Sequence, residues 1–213
     1  MTLSETALPL RDALTALGQL DKDIARAIHA YGMPRDRTME EGYASLARII
    51  LGQQISRAVA TSLWQKLTAK GWTDSPQLAG KTPDQLFELG ISRRKAEYLI
   101  DLAKAVEENR LDLPALKQKS GDEVQRILVD IRGIGAWTAD NYRLFCLLDF
   151  DAWPGNDLAL QEGMKRLKGL PARPDLKEMD RLAGNWRPYR GAGALMLWHI
   201  YAIEVRQATP SDI

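Results

Sequence analysis

Residues 131–142 read IRGIGAWTADNY, with Gly133 and Gly135 one residue apart and a helical run directly after them. Glycine lets a backbone turn tightly and leaves its N–H uncovered, and the first turn of a helix adds unpaired N–H groups at the positive end of the helix dipole. Together they suit a phosphate. A plain tight turn between two core helices is the competing reading of the same residues. Further on, PGND (154–157) puts Asp157 at the start of the helical run LALQEGMKRL, where Asp most often serves as an N-cap. Trp137, Tyr142 and Trp153 offer electron-rich rings for a flat or cationic partner, or else fill the core. Gln53 and Gln54 follow Gly52 as a polar pair at a helix break, and SRRK (92–95) is either a basic contact or a solvated helix face.

These residues need elements to position them. Leu (30 residues) and Ala (26) far outnumber Val (5) in the 213-residue chain, and no long stretch alternates polar and apolar residues. That composition predicts an all-α protein. Leu46, Ile49, Ile50, Val59, Leu63 and Leu67 recur at helical steps, with a break at Gly52; Leu99, Leu102, Ala103 and Val106, then Val124, Ile127, Leu128 and Ile131, repeat the pattern behind the N-caps Ser92 and Ser120. DSPQ (74–77), KTPD (81–84) and LPAL (113–116) read as breakers between helices. Ile131 to Ala136 then makes a helix–hairpin–helix.

Composition also excludes function classes. With 29 basic and 28 acidic residues the net charge is +1, so any anion-binding face is local. A single cysteine, Cys146, within LFCLLDF excludes a disulfide inside the chain, an iron–sulfur cluster and a thiolate zinc site, and is read as packing. His29 and His199 are too few to build a metal site. The first residues lack a basic-then-apolar leader pattern, and no run of 18 apolar residues occurs, so the expectation is a soluble intracellular protein without a membrane partner.

ILVDIRGIGAWTAD resembles the hairpin of the helix–hairpin–helix DNA glycosylases, and within them most closely that of the 3-methyladenine DNA glycosylase II family. ARIILGQQIS (47–56), LGISRRKAEYLIDLA (89–103), DAWPGNDLAL (151–160) and NWRPYRGAGALMLW (185–198) agree with further motifs of that family in the same order. The resemblance implies two helical lobes with the hairpin at the cleft between them and no N-terminal β region. Residues 1–45 with 158–213 would form one lobe, and 46–157 the other.

The resemblance assigns chemistry residue by residue. Breaking a C1′–N bond leaves an oxocarbenium-like sugar that a nearby carboxylate stabilises; the family's acid falls on Asp157, with Asp149 and Asp151 as loop-ordering rivals. Bifunctional relatives carry a lysine where Trp137 stands, so water is the expected nucleophile and an abasic site the product. Trp137, Trp153 and Tyr142 would hold an alkylated purine. Gln54, or Gln53, would fill the gap left by the flipped base. Gly133, Ile134, Gly135, Thr138 and Lys95 would contact the DNA backbone, with a monovalent cation held near Ile131 and Ile134. No cofactor is implied. Trp186, Arg190 and Trp198 are expected to build the fold around the Asp157 helix.

The partner implied is damaged double-stranded DNA, bound by a monomer in the cytoplasm, at the nucleoid in a bacterium or in the nucleus in a eukaryote. Two alternatives remain: a glycosylase for deaminated or etheno-adducted bases, and a non-catalytic module that binds DNA structure.

Overall fold

The computed structural model describes residues 2–3 and 9–207, and among these the regular structure is helical, with no strand. The chain divides into two compact units.

The first unit spans Met39–Leu147 and includes Leu3. Helix α3 (Tyr43–Gly52) is buried along most of its length through Leu46, Ala47, Ile49, Ile50 and Leu51, as an apolar run without a polar stripe requires. It ends at Gly52, the break that the sequence predicts. α4 (Arg57–Ala69) starts from Ser56, whose hydroxyl accepts the Val59 N–H. α7 (Arg93–Glu107) and α8 (Gly121–Val129) are capped by Ser92 and Ser120 as expected, the latter in a full capping box with Glu123. α9 (Ala136–Cys146) follows the hairpin.

Three predicted breakers turn out to be helix starts. Pro76, Pro83 and Pro114 sit in the first turns of α5 (Ser75–Ala79), α6 (Pro83–Phe87) and a 3-10 turn (Pro114–Gln118). Proline interrupts a helix interior but suits a first turn, where its missing N–H would be unpaired anyway.

The second unit comprises 9–38 and 148–207. It contains α1 (Leu10–Leu20), α2 (Lys22–Tyr31), α10 (Leu158–Lys168), α11 (Leu176–Leu182), a 3-10 turn (Gly184–Trp186) and α12 (Arg190–Glu204). α10 and α12 approach closely because Gly163 has no side chain: a Cβ there would lie 2.3 Å from the Leu197 carbonyl oxygen. Asp21 caps α2 through the Asp23 N–H and accepts from Lys168 Nζ (2.6 Å) and Trp186 Nε1 (2.7 Å).

The unit boundaries fall at 38/39 and 147/148, where the sequence reading put them at 45/46 and 157/158. Met39 is drawn into the first unit by its N–H bond to Phe145 (2.8 Å). The loop after Leu148 belongs to the second, because Phe150 O accepts from Gly191 N–H and Asp151 pairs with Arg190 (2.7 Å).

Candidate active site

In the first unit, α8 runs into the hairpin through Ile131, whose carbonyl accepts the Ile134 N–H at 3.0 Å. The two glycines have different reasons to be glycine. Gly133 has φ +90°, and a Cβ on it would lie 2.3 Å from Tyr98 Cγ, so fold and packing both demand it. Gly135 has extended backbone, is exposed, and a Cβ there would meet nothing within 4 Å. Its bareness serves no packing inside the chain. As the N-cap of α9 it offers no capping side chain to the first turn, at the positive end of the helix dipole. The Ile131 carbonyl accepts the Ile134 N–H and the Gly133 carbonyl accepts Gln53 Nε2.

Tyr98 and Arg132, which sequence reasoning passed over, build the floor of this turn. Arg132 bonds Asp101 (3.0 Å) and Glu97 (2.7 Å) and lies over the Tyr98 ring at 5.7 Å; Arg94 stacks on the same ring at 5.5 Å and donates to its hydroxyl. Arg93 pairs with Asp84 and lies over Phe87. The SRRK segment is thus largely engaged in interactions with its own surroundings.

The QQ pair is split by the fold. Gln53 Nε2 donates to Gly133 O (3.0 Å) and to Thr138 Oγ1 (2.8 Å), tying the end of α3 to the hairpin. Gln54 is exposed at φ +58°. Of the two expected gap-fillers, only Gln54 is therefore presented outward. Two DNA-backbone candidates are corrected here. The Thr138 side chain is buried on its bond to Gln53, and Lys95 Nζ donates to Leu51 O (2.7 Å) and Gln53 O (2.5 Å), its pKa lowered by burial.

Trp137 lies half-buried one residue into α9, with its carbonyl accepting from Asn141. Tyr142 is a correction: it is 0% exposed, its hydroxyl accepts the Gly42 N–H at 2.9 Å, and burial raises its pKa. A helical step of five from Trp137 turns it to the core side of α9. Cys146 is buried, its pKa pushed up to about 12 by desolvation, in keeping with a packing role.

In the second unit, Asp157, the acid that the resemblance singles out, is the N-cap of α10. Its Oδ1 accepts from the N–H groups of Ala159 (2.8 Å) and Leu160 (3.0 Å) and from Trp198 Nε1 (3.2 Å). Capping and a fixed anionic charge are thus the same geometry. Asp149 orders the loop through the Asp151 N–H, and Asp151 binds Arg187 and Arg190. Trp153 is a second correction, for it is 9% exposed, donates to Asp180 (3.0 Å), and meets Trp186 edge-on at 5.9 Å. Gly155 is required by that indole, 2.5 Å from where a Cβ would stand. No group of three or more His, Cys, Asp or Glu among the described residues has metal-binding geometry.

Residues 47–188 match the model of the HhH-GPD superfamily base excision DNA repair proteins. The chain belongs to that superfamily. It is 27% identical to the DNA-3-methyladenine glycosylase of Bacillus subtilis over 71% of this chain, and spans little more than half (54%) of that protein. It is 28% identical to the DNA-3-methyladenine glycosylase 1 of Schizosaccharomyces pombe over 91% of this chain and 89% of the relative. A solved structure of the Schizosaccharomyces pombe 3-methyladenine DNA glycosylase Mag1, in complex with abasic DNA, superposes with a TM-score of 0.81 at 25% identity, covering 93% of this chain and 99% of that one. The fold is therefore that of the HhH-GPD proteins, and its regular structure among the described residues is helical.

Proposed function

We propose that the protein is a monofunctional DNA glycosylase that removes alkylated purines such as 3-methyladenine from double-stranded DNA and leaves an abasic site. The observation that carries this reading is the Asp157 carboxylate, fixed by three donors on one oxygen within the segment that matches a superfamily of base-excision DNA repair proteins. A module that only binds DNA structure would use that group as a helix cap alone, so excision activity lost on Asp157→Asn separates the two readings.

In this reading the Gly135 N–H and the uncapped first turn of α9 grip a phosphate, and Gln54 fills the space of the flipped base. The Asp157 anion stabilises the cationic sugar as the C1′–N bond breaks, and orients or deprotonates the attacking water. An N-alkylated purine is already a good leaving group, so one carboxylate suffices without a second acid. With Tyr142 and Trp153 in the core, the stacking ring for the base is Trp137, worth about 0.5 to 2 kcal/mol for a cationic purine. Residue 137 offers no amine, so the strand is left intact.

The test is chromatography of bases released from methylated DNA. Free 3-methyladenine with uncut strands is the expected result, and no release from any lesion would defeat the proposal.

A further inference from the structure

Helix α3 ends in a run of carbonyls that the helix itself leaves unpaired, and it has no basic residue in its own last turn. Lys95, from the first turn of α7, supplies the missing cation with two short bonds to Leu51 O and Gln53 O. The next residue, Gln54, sits at φ +58°, a conformation that costs a non-glycine residue roughly 1 to 2 kcal/mol and persists only where surroundings enforce it. Between them, Gln53 spends its amide N–H groups on Gly133 O and Thr138 Oγ1. An unbroken chain of hydrogen bonds thus runs from α7 through the end of α3 to the hairpin, with the exposed Gln54 beside it.

We propose that Lys95 and Gln53 are positioning residues that lock the strained Gln54 turn to the hairpin, so that the gap-filling side chain and the phosphate grip meet DNA as one rigid piece. The proposal rests on the glycosylase reading. Lys95 sits too deep in carbonyl bonds to serve as a free phosphate contact, and its lowered pKa reflects the same desolvation. Preorganisation is where such a clamp acts: without it Gln54 samples other conformers, and base flipping slows while ground-state DNA affinity changes little.

The experiment is single-turnover excision from a duplex carrying one methylated purine, with 2-aminopurine next to the lesion reporting unstacking. Lys95→Met and Gln53→Leu are expected to slow excision roughly tenfold or more, with affinity for undamaged duplex within about twofold. Lys95→Arg should restore most of the rate, since a guanidinium can donate to both carbonyls. Adding Gln53→Leu to Gln54→Ala should cost little further, because Gln53 acts through Gln54. If Lys95→Met fails to fold, Gln53→Leu, which leaves both carbonyls capped, carries the test. A full additional loss on the Gln54→Ala background, or wild-type flipping in Gln53→Leu, would overturn the proposal. Absence of excision by the wild type itself would remove the glycosylase reading and the proposal with it.

Discussion

Trp198 donates its indole N–H, at 3.2 Å, to the same Asp157 oxygen that caps the first turn of α10. One carboxylate therefore has a structural and a proposed chemical duty, and substitution can separate them. Asparagine is as good an N-cap as aspartate and can still accept from Ala159, Leu160 and Trp198. Asp157→Asn should keep its melting temperature within a few degrees, yet lose base excision by about a hundredfold or more as the charge disappears. Asp157→Ala should lose excision and, in addition, about 1 to 2 kcal/mol of stability. Near-normal excision by the asparagine variant would remove Asp157 from the chemistry.

The hairpin glycines separate in the same way. Gly133→Ala puts a Cβ into the Tyr98 ring at positive φ and should destabilise the protein by about 1 to 3 kcal/mol, seen in a urea titration. Gly135→Asp has room, and supplies the capping side chain that α9 lacks, so stability should hold or rise. Its affinity for DNA should nonetheless fall by roughly tenfold, for damaged and undamaged duplex alike, since an anion would occupy the phosphate position. Unchanged binding at moderate salt would return the hairpin to a plain turn.

What sequence could show follows from the range of the interaction. The caps at Ser92, Ser120 and Asp157 bond N–H groups two or three residues away, so residue type and spacing are enough to find them. Tyr142 and Trp153 were misread because an aromatic ring suits a pocket and a core equally. What decides is a partner such as Gly42, a hundred residues away, or Asp180 in a later helix. Lys95 and Gln53 likewise take their roles from partners distant in sequence. A lysine in SRRK looks like a surface cation until α3 delivers its carbonyls, and no spacing along the chain predicts that meeting.

Asp21 gives a pH-dependent prediction. Burial alone would raise its carboxyl pKa, but bonds from Lys168, Trp186 and the Asp23 N–H outweigh it and hold the group below its ordinary 3.8. A carboxyl depressed in the folded state binds protons more readily once unfolded. Its stabilisation is therefore complete above the ordinary value and disappears as pH falls through the lowered one. Asp21→Asn should cost about 1 to 2 kcal/mol in urea at pH 7, with the gap from wild type closing below about pH 4. A gap that stays constant down to pH 3 would show that the bonds to the neutral side chain are what matter.

Borohydride trapping separates the proposed hydrolysis from lyase chemistry. A lyase needs an amine to attack C1′, form a Schiff base and expel the 3′ phosphate, and that imine is trapped covalently by borohydride. An indole cannot form it. Wild-type protein on alkylated DNA should release base and leave strands that break only under later heat or alkali, with no trapped complex. Trp137 packs against the core of the first unit but keeps part of its ring exposed, where Tyr142 and Trp153 are buried, so its ring should matter most for cationic bases. Trp137→Ala should slow excision of 3-methyladenine by roughly tenfold, a loss of the size expected for one stacked cation–π contact, and should affect a neutral lesion such as hypoxanthine less. Borohydride trapping of the wild type would identify an amine elsewhere in the chain as nucleophile, and Asp157 would then be assisting an imine rather than a water molecule.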